Sequence, residues 1–227
     1  MMKRGSKMIK AVLYDMDGTV LDTMPIYVKG WERADREFGF GGRAAGLIPH
    51  IAGMSAVDSG AYARSQLGEN FDYTAFRKIV EEEFRAIIAR DGLNCKKGAP
   101  EIFETVRKMG IRQILVTSSA PHAVFPLLER AEIKNAFDGV ITGDMVAHSK
   151  PNPEIFLLGA KTAGVEPAEC MVVEDAANGA RAGIAAGMKT VMIPEYPPIP
   201  ADVMAGLWHE CRDLSELAGL IKEENKI

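Results

Sequence analysis

The sequence predicts an α/β fold, with a doubly wound parallel (Rossmann-like) sheet as its core and a small helical insertion. Short apolar runs alternate with helical patterns along most of the chain, which is typical of a parallel sheet covered by helices on both faces. Three of the runs end abruptly in polar residues, at the strand ends where ligands bind in open α/β sheets. Residues 24–94 show helical rather than strand-like spacing, so we expect an all-helical insertion there.

The insertion contains two strong helical patterns. Met24–Phe38 has apolar residues such as Trp31 at helical spacing, and Pro25 suits a first helical turn. Phe71–Arg90 repeats apolar residues with the same period, and Gly92 ends the pattern. The predicted domains are therefore a core of residues 1–23 and 95–227 and an insertion of residues 24–94.

The core elements are read from short apolar runs and from the glycine and proline residues that bound them. Apolar runs between turn residues predict buried parallel strands at Ile9–Tyr14, Ile111–Val116, Phe137–Ile141, Cys170–Val173 and Thr190–Ile193. Helical spacing, with proline in the first turn or glycine after the last, predicts helices at Pro100–Met109, Pro121–Ala131, Pro153–Ala163, Ala176–Ala186 and Leu214–Lys222.

Composition excludes several classes of function. The 227 residues are 47% hydrophobic and carry a net charge of −4, so we expect neither nucleic acid nor anionic membrane as a partner. No apolar run approaches the ~18 residues of a membrane-spanning helix, and the basic start, residues 1–10, lacks the apolar run of a signal peptide. Three widely spaced cysteines fit a reducing cytoplasm better than a disulfide framework. We expect a cytoplasmic protein, as a monomer or weak dimer.

The stretch after the first strand holds the first candidate site residues. Asp15 and Asp17 flank a single residue and precede Gly18. Paired carboxylates at a strand end suit Mg²⁺, which takes one or two carboxylates together with phosphate oxygens. The alternative is an Asp-Gly turn with no function.

Polar residues follow two further strands and one loop. Thr117 and Ser118 follow the second strand, Glu174 and Asp175 follow the fourth, and Lys150 lies in a proline-flanked loop. Because the carboxyl ends of parallel strands share one edge of a sheet, we expect these groups to converge. Each has a simpler interpretation: Thr117 as a helix N-cap, Lys150 as a surface lysine and Glu174 as a bystander.

These motifs, taken in order, resemble those of the haloacid dehalogenase-like superfamily. Asp15-Met16-Asp17-Gly18-Thr19-Val20 is similar to its first motif, Thr117-Ser118 to the second, Lys150-Pro151-Asn152-Pro153-Glu154 to the third, and Glu174-Asp175 with Asn178-Gly179 to the fourth. The resemblance spans residues 9 to about 183. It implies that the insertion is a helical cap, and that the protein is a Mg²⁺-dependent phosphatase acting on a small phosphorylated metabolite.

The resemblance also implies roles for the motif residues. Asp15 would be the nucleophile that forms an aspartyl-phosphate, and Asp17 the general acid and base. Lys150 would be a point charge on the phosphoryl oxygens and Asp15. The hydroxyl of Thr117 and the backbone around Ser118 and Gly18 would bind phosphate. The metal ligands would be Asp15, the backbone carbonyl of Asp17, Asp175 and, as a weaker candidate, Glu174.

Four other functions compete with a phosphatase. The motifs argue against a dehalogenase and a phosphonate-cleaving enzyme, because Asp17 is retained, and against a phospholigand-binding protein without activity, because no motif is degraded. The principal alternative is a sugar phosphomutase of the β-phosphoglucomutase type. The resemblance implies that such a mutase needs two basic residues for a second anion site and a cap histidine that restrains Asp17. Ala120, Ala56 and Tyr27 stand at these positions here, with Arg43 and His122 as the alternatives that could replace them.

Overall fold

The computed structural model describes residues 8–196 and 198–227. Most of the basic start predicted to lack a signal peptide, residues 1–7, lies outside the described residues, as does Pro197 of the proline-rich loop. Within the described part of the chain, no helix has both the length and the apolar composition needed to cross a bilayer. The cytoplasmic location and the oligomeric state stay predictions.

Six strands form one parallel sheet at the centre of the core. In chain order they are β1 (Ala11–Tyr14), β2 (Arg112–Val116), β3 (Gly139–Ile141), β4 (Cys170–Glu174), β5 (Lys189–Met192) and β6 (His209–Glu210). Their spatial order is β3-β2-β1-β4-β5-β6, and every neighbouring pair is parallel. The order reverses direction at β1, which is the switch point where doubly wound sheets bind ligands.

Ten α-helices accompany the sheet in the described residues. They are α1 (Met24–Phe38), α2 (Ile48–Ile51), α3 (Ala56–Leu67), α4 (Tyr73–Asp91), α5 (Ala99–Lys108), α6 (Pro121–Arg130), α7 (Glu154–Ala163), α8 (Ala177–Ala185), α9 (Ala201–Gly206) and α10 (Leu217–Asn225). The predicted α/β class and doubly wound parallel sheet are confirmed, with ends of the predicted elements shifted by a few residues.

Side chains alternate across β1 and bury both faces of the sheet. Val12 and Tyr14 join a cluster with residues of α5, α6 and α10, whereas Ala11 and Leu13 join a cluster with residues of α7 and α8. Successive residues of a strand point to opposite faces, so a fully apolar strand of this kind fits only between two helical layers. The core therefore consists of three layers, with β1 in the middle.

Helices α1 to α4 form a separate helical segment between β1 and β2. Trp31 and Phe76, whose ring centroids lie 4.9 Å apart, belong to its own apolar cluster. The two connections to the core run side by side, since Asp22 N donates to Asn94 O and Lys96 N donates to Val20 O, both at 2.9 Å. Residues 24–94 are thus helical, as predicted. Their assignment as a domain separate from the core stays a prediction.

Four elements were not predicted, namely α2, α3, α9 and β6. Helix α3 buries only Ser59, Gly60 and Ala63, so it has no row of large apolar residues from which a period could be read. Its start is held by Ser55, whose hydroxyl accepts from the backbone N–H of Asp58, a typical N-cap contact. Elements α9 and β6 have six and two residues, too few for a periodic signal.

Candidate active site

The register of the sheet brings the predicted site residues to one edge. Tyr14 lies opposite Leu115 of β2 and Val173 of β4. The next residue along β1 is Asp15, which is therefore level with Glu174 at the end of β4 and next to the segment that begins at Thr117. Neighbouring strands lie about 4.8 Å apart, so these side chains share one small space.

The side chain of Lys150 lies within this space and is almost fully buried, with 1% of the residue's surface exposed. Its Nζ donates to Asp15 Oδ1 at 2.5 Å, to Glu174 Oε1 at 2.6 Å and to the carbonyl oxygen of Val116 at 3.3 Å. Burial opposes its charge, but the charges of Asp15 and Glu174 outweigh burial and raise the pKa of Lys150. A solvated surface lysine is thus excluded, and Glu174 is not a bystander, because it binds the same ammonium as Asp15.

Three buried carboxylates form an acidic cluster around Lys150. Oxygens of Asp15, Glu174 and Asp175 lie within 4.8 Å of one another. Thr19 Oγ1 donates to Asp175 Oδ1 at 3.1 Å, while Asp175 Oδ2 is buried and has no hydrogen-bond partner among the described residues. An unpaired buried carboxylate oxygen is costly, and this donor set has the chemistry that a hard divalent cation requires.

Burial and mutual repulsion favour protonation of the acidic cluster. Burial, followed by the charges of Glu174 and Asp15, raises the pKa of Asp175 well above its ordinary value. Burial and the charge of Asp15 raise the pKa of Glu174 to about 7, against the opposing effect of Lys150. Three carboxylates therefore face one lysine, and an additional positive charge would stabilise their ionised forms.

The carboxylate of Asp17 is not part of the acidic cluster and is held by two hydroxyls. Thr23 Oγ1 donates to its Oδ1 and Ser119 Oγ to its Oδ2, both at 2.9 Å. Burial, followed by the charge of Asp15, raises the pKa of Asp17 to about 6. Its side chain is not part of the acidic cluster, so any contact with a metal would come from its backbone, as the sequence resemblance implies.

The residues predicted to bind phosphate line the same edge. Thr117 is buried, and its Oγ1 accepts from the backbone N–H of Ser119 at 3.1 Å. Helix α6 follows Ala120 and has no side-chain cap, so Thr117 is not the N-cap of this helix. The Ser118 hydroxyl donates to the carbonyl oxygen of Gly53 in the helical segment at 2.8 Å. The backbone N–H groups of Thr117 and Ser119 are used within the protein, by Ile141 O and Thr117 Oγ1, so the backbone N–H of Ser118 is the one left in this stretch to face an anion.

Gly18 is required by the close approach of Asp175. Its φ is +85°, and a Cβ at this position would lie 2.2 Å from Asp175 Oδ2. Glycine alone tolerates both the conformation and the contact. The turn after β1 is thus folded tightly against the end of β4.

Three hydroxyl residues of the site were missed in the sequence. Thr19 supports Asp175, while Thr23 and Ser119 hold Asp17. Thr23 directly precedes α1, but its side chain makes no cap hydrogen bond to this helix. A signal was present for Thr19, which lies within the first motif, whereas Thr23 and Ser119 follow the first and second motifs, and nothing in the sequence indicated which carboxylate each would contact.

Gly179 provides a test of the packing beneath the site. A Cβ at this position would lie 1.8 Å from Glu174 Oε1, so Gly179→Ala must displace the carboxylate that Lys150 binds. We expect a loss of about 1–3 kcal/mol, as for overpacked cores, and a melting temperature lower by ~2–4 °C for each kcal/mol. Thermal unfolding followed by circular dichroism measures the effect.

The matched control is Gly219→Ala in α10, where a Cβ meets no atom within 4 Å. This exposed helical substitution should be neutral or stabilising by up to ~1 kcal/mol. Equal melting temperatures for the two variants would contradict the tight packing of Gly179 against Glu174.

The fold and the site together define an α/β enzyme with an acidic, lysine-bound centre at the switch point of its sheet. A sequence model of the haloacid dehalogenase-like hydrolases matches residues 9–187, a range that contains all of the site residues described above. The chain belongs to this family of haloacid dehalogenase-like hydrolases.

Named relatives agree with this assignment. The chain is 30% identical over 189 residues to a phosphorylated carbohydrates phosphatase from Thermotoga maritima, covering 81% of this chain and 84% of the relative. It is 32% identical over 187 residues to the fructose-1-phosphate phosphatase YqaB from Escherichia coli, covering 79% and 94%. The predicted assignment to a phosphatase-like enzyme of this family is confirmed.

The fold has counterparts among solved structures. A β-phosphoglucomutase from Clostridium difficile superimposes with a TM-score of 0.78, covering 96% of this chain and 98% of the other at 21% identity. At this identity the likeness extends to the fold alone. Phosphatases and a phosphomutase thus share the architecture, and the choice between the two reactions has to come from side chains.

Proposed function

We propose that the protein is a Mg²⁺-dependent phosphatase that hydrolyses a phosphorylated sugar through an aspartyl-phosphate intermediate. The observation that carries this proposal is the buried group of Asp15, Glu174 and Asp175 around Lys150, with one carboxylate oxygen unpaired. The names of two relatives, which refer to phosphorylated carbohydrates and to fructose 1-phosphate, favour a sugar phosphate as the substrate class.

Asp15 is the proposed nucleophile. Its carboxylate oxygen attacks phosphorus as the bond from phosphorus to the ester oxygen breaks, and Asp17 gives its proton to the leaving oxygen. In the second step Asp17 takes a proton from water, which attacks phosphorus and releases inorganic phosphate and free Asp15. A pKa of about 6 for Asp17 suits a group that must both give and accept a proton near neutral pH.

Lys150, Thr117 and the backbone near Ser118 and Gly18 bind and orient the phosphate in this proposal. Lys150 holds Asp15 in place and lowers the repulsion between its carboxylate and the phosphoryl oxygens. Asp15, Asp175 and the backbone carbonyl of Asp17 would hold Mg²⁺, and Glu174 would act mainly through Lys150. When bound, Mg²⁺ supplies the positive charge that lets the two anions approach each other.

Residues 24–94 are proposed to act as a cap that excludes water and contacts the leaving group. The sugar part of the substrate would therefore lie between this segment and the edge of the sheet.

The side chains at three positions support hydrolysis over a mutase reaction. Tyr27 packs against Phe84, with ring centroids 4.5 Å apart, Ala56 is exposed at the start of α3, and Ala120 precedes α6. None of these three residues offers the positive charge that a second phosphate group would need.

Phosphate release from a panel of sugar monophosphates tests the proposed function. We expect release with Mg²⁺, loss of activity in EDTA and recovery when Mg²⁺ is returned. The competing reaction is tested with β-glucose 1-phosphate and a catalytic amount of the 1,6-bisphosphate. Formation of glucose 6-phosphate without phosphate release would overturn the proposal, and unchanged activity in EDTA would overturn its metal requirement.

Metal binding can be tested without an activity measurement, through Asp175→Asn. Because the pKa of Asp175 is raised in the folded protein, the contribution of this carboxyl to stability falls as the pH rises through that pKa, so the carboxyl is destabilising at alkaline pH. Asparagine removes this charge and can still accept from Thr19. We therefore expect the metal-free variant to melt a few degrees higher than the wild type, by roughly 2–4 °C per kcal/mol.

The same substitution should remove most of the stabilisation by Mg²⁺. Ligands that bind the folded state alone raise the melting temperature, so wild-type protein should gain stability as Mg²⁺ is added and the variant should gain much less. Asp202→Asn is a matched control, since Asp202 pairs with Arg181 on the surface. Equal responses of Asp175→Asn and the wild type to Mg²⁺ would exclude Asp175 as a ligand.

A further inference from the structure

One loop of the helical segment contacts the ends of two core strands. This loop, residues 50–55 and here called the bridging loop, receives the hydroxyl hydrogen bond of Ser118, which follows β2. It also receives two hydrogen bonds from Asn178 in α8, which follows β4. Asn178 Nδ2 donates to His50 O at 3.1 Å and to Ala52 O at 2.9 Å.

The order of the strands places the bridging loop above Asp15. Strands β2 and β4 are the two neighbours of β1, so a loop that contacts residues after both must cross the end of β1. The approach on the β4 side is close, because a Cβ on Gly53 would lie 3.3 Å from Ala176 Cβ and 3.5 Å from Gly179 N. The loop therefore forms the wall of the site that faces Asp15.

A third contact joins the same region to the loop that carries Lys150. The hydroxyl of Ser149 donates to the Asp58 carboxylate, which also accepts from Ser55 Oγ at 2.6 Å. The strand ends after β2 and β4 and the Lys150 loop are thus each tied to one short stretch of the helical segment.

Asn178 makes the most specific of these contacts. Its side chain is buried, with 8% of the residue exposed, and both hydrogen bonds that its amide nitrogen donates go to backbone carbonyls of the bridging loop. Its Oδ1 accepts only a 3.4 Å contact from Arg181 among the hydrogen bonds of the described residues. The amide hydrogens therefore hold the bridging loop and support nothing within the α/β core.

We propose that Asn178 is a positioning residue, which holds the bridging loop over the end of β1 and so fixes where the leaving group of the substrate lies. Its catalytic consequence rests on the proposed function, whereas its effect on the loop does not. Backbone carbonyls accept these bonds, so the contact depends on the position of the loop and not on its side chains.

Hydrogen–deuterium exchange of the full-length protein tests the contact directly. In Asn178→Ala both bonds are lost, while alanine is favourable in the first turn of α8. Two neutral hydrogen bonds correspond to a change of about tenfold or more in the ratio of held to released loop. We expect exchange at the amides of Ala52 and Met54, which are bonded to Ile48 O and Ile51 O, to accelerate about tenfold.

Two further variants make the test specific. Asn178→Asp keeps the size of the side chain but turns a carboxylate toward the carbonyls, so exchange should accelerate at least as much as in Asn178→Ala. Asn135→Ala removes an asparagine side chain at an exposed position and should leave exchange of the bridging loop unchanged. Wild-type exchange rates in both Asn178 variants would overturn the proposal.

The catalytic consequence is read from kinetics on the best sugar phosphate of the panel. We expect kcat/KM to fall about tenfold in Asn178→Ala, while the Mg²⁺ concentration for half-maximal activity stays unchanged. Faster exchange with wild-type kcat/KM would overturn the positioning role. If no substrate is hydrolysed by the wild type, the proposed function fails, and the exchange experiment still decides whether Asn178 holds the loop.

Discussion

Asp15→Asn is expected to abolish turnover and to leave the fold intact. The amide has the shape of the carboxylate and can still accept from Lys150, but it is not a nucleophile. Loss of covalent catalysis should reduce kcat at least about a hundredfold, which corresponds to ~3 kcal/mol of transition-state stabilisation. Phosphate release under saturating substrate measures the loss, and circular dichroism checks the fold.

The control for this variant is Asp91→Asn, which makes the same chemical change at an exposed carboxylate paired with Arg90. Its activity should equal that of the wild type. A kcat for Asp15→Asn above about one hundredth of the wild-type value would exclude Asp15 as the nucleophile, and would direct attention to a mechanism with direct attack by water.

Lys150→Met should cause the largest combined loss of stability and activity. Methionine is similar in length but leaves Asp15 and Glu174 without the buried ammonium that they share. Removing one partner of a buried ion pair costs about 3–5 kcal/mol, because the remaining charges stay in a poorly solvated space. Urea unfolding measures the change in the free energy of unfolding, and phosphate release measures the accompanying loss of kcat.

The loss of stability in Lys150→Met should become smaller as the pH is lowered. Glu174 already has a pKa of about 7 in the folded protein, above its ordinary value, so its protonation favours the folded state. Without Lys150 this preference grows, and the stability deficit of Lys150→Met should be smaller at pH 5 than at pH 8.

Lys97→Met is the comparison, since this lysine is 80% exposed and pairs with Asp213 at 2.8 Å. Its removal should cost at most about 1 kcal/mol. Wild-type stability and kinetics in Lys150→Met would mean that this lysine neither supports the carboxylates nor assists the reaction.

Local patterns in the sequence predicted most of the fold. The runs around Val12, Leu115 and Val172 are short, apolar and bounded by turn residues, so their character as buried strands can be read without knowledge of their neighbours. Helix α1 was predicted with the bounds that the structure has, Met24–Phe38, because its period and its ends are both local signals. Helix α3 escaped detection because small residues fill its buried face.

The sequence also predicted which residues meet at the site, through one rule. In a parallel sheet all strands end at the same edge, so a polar residue after a strand is placed there whatever the order of the strands. Asp15, Thr117 and Asp175 were found in this way, and Lys150 was added because its proline-flanked loop resembles the third motif of the family. These are properties of chain segments, and a sequence carries them directly.

Only the tertiary structure decided which residues form contacts with one another. Lys150 bonds to Asp15 and Glu174 across separations of 135 and 24 residues, and Asn178 reaches the bridging loop across 126 to 128 residues. Such pairs depend on strand order, on register and on how the helical segment packs against the sheet, and no local pattern encodes them. The sequence by itself therefore determined where the strands lie, that the site is at the carboxyl ends of the strands, and which residues lie at that edge. Long-range packing determined the hydrogen-bond partner of each carboxylate and the loop that covers the site.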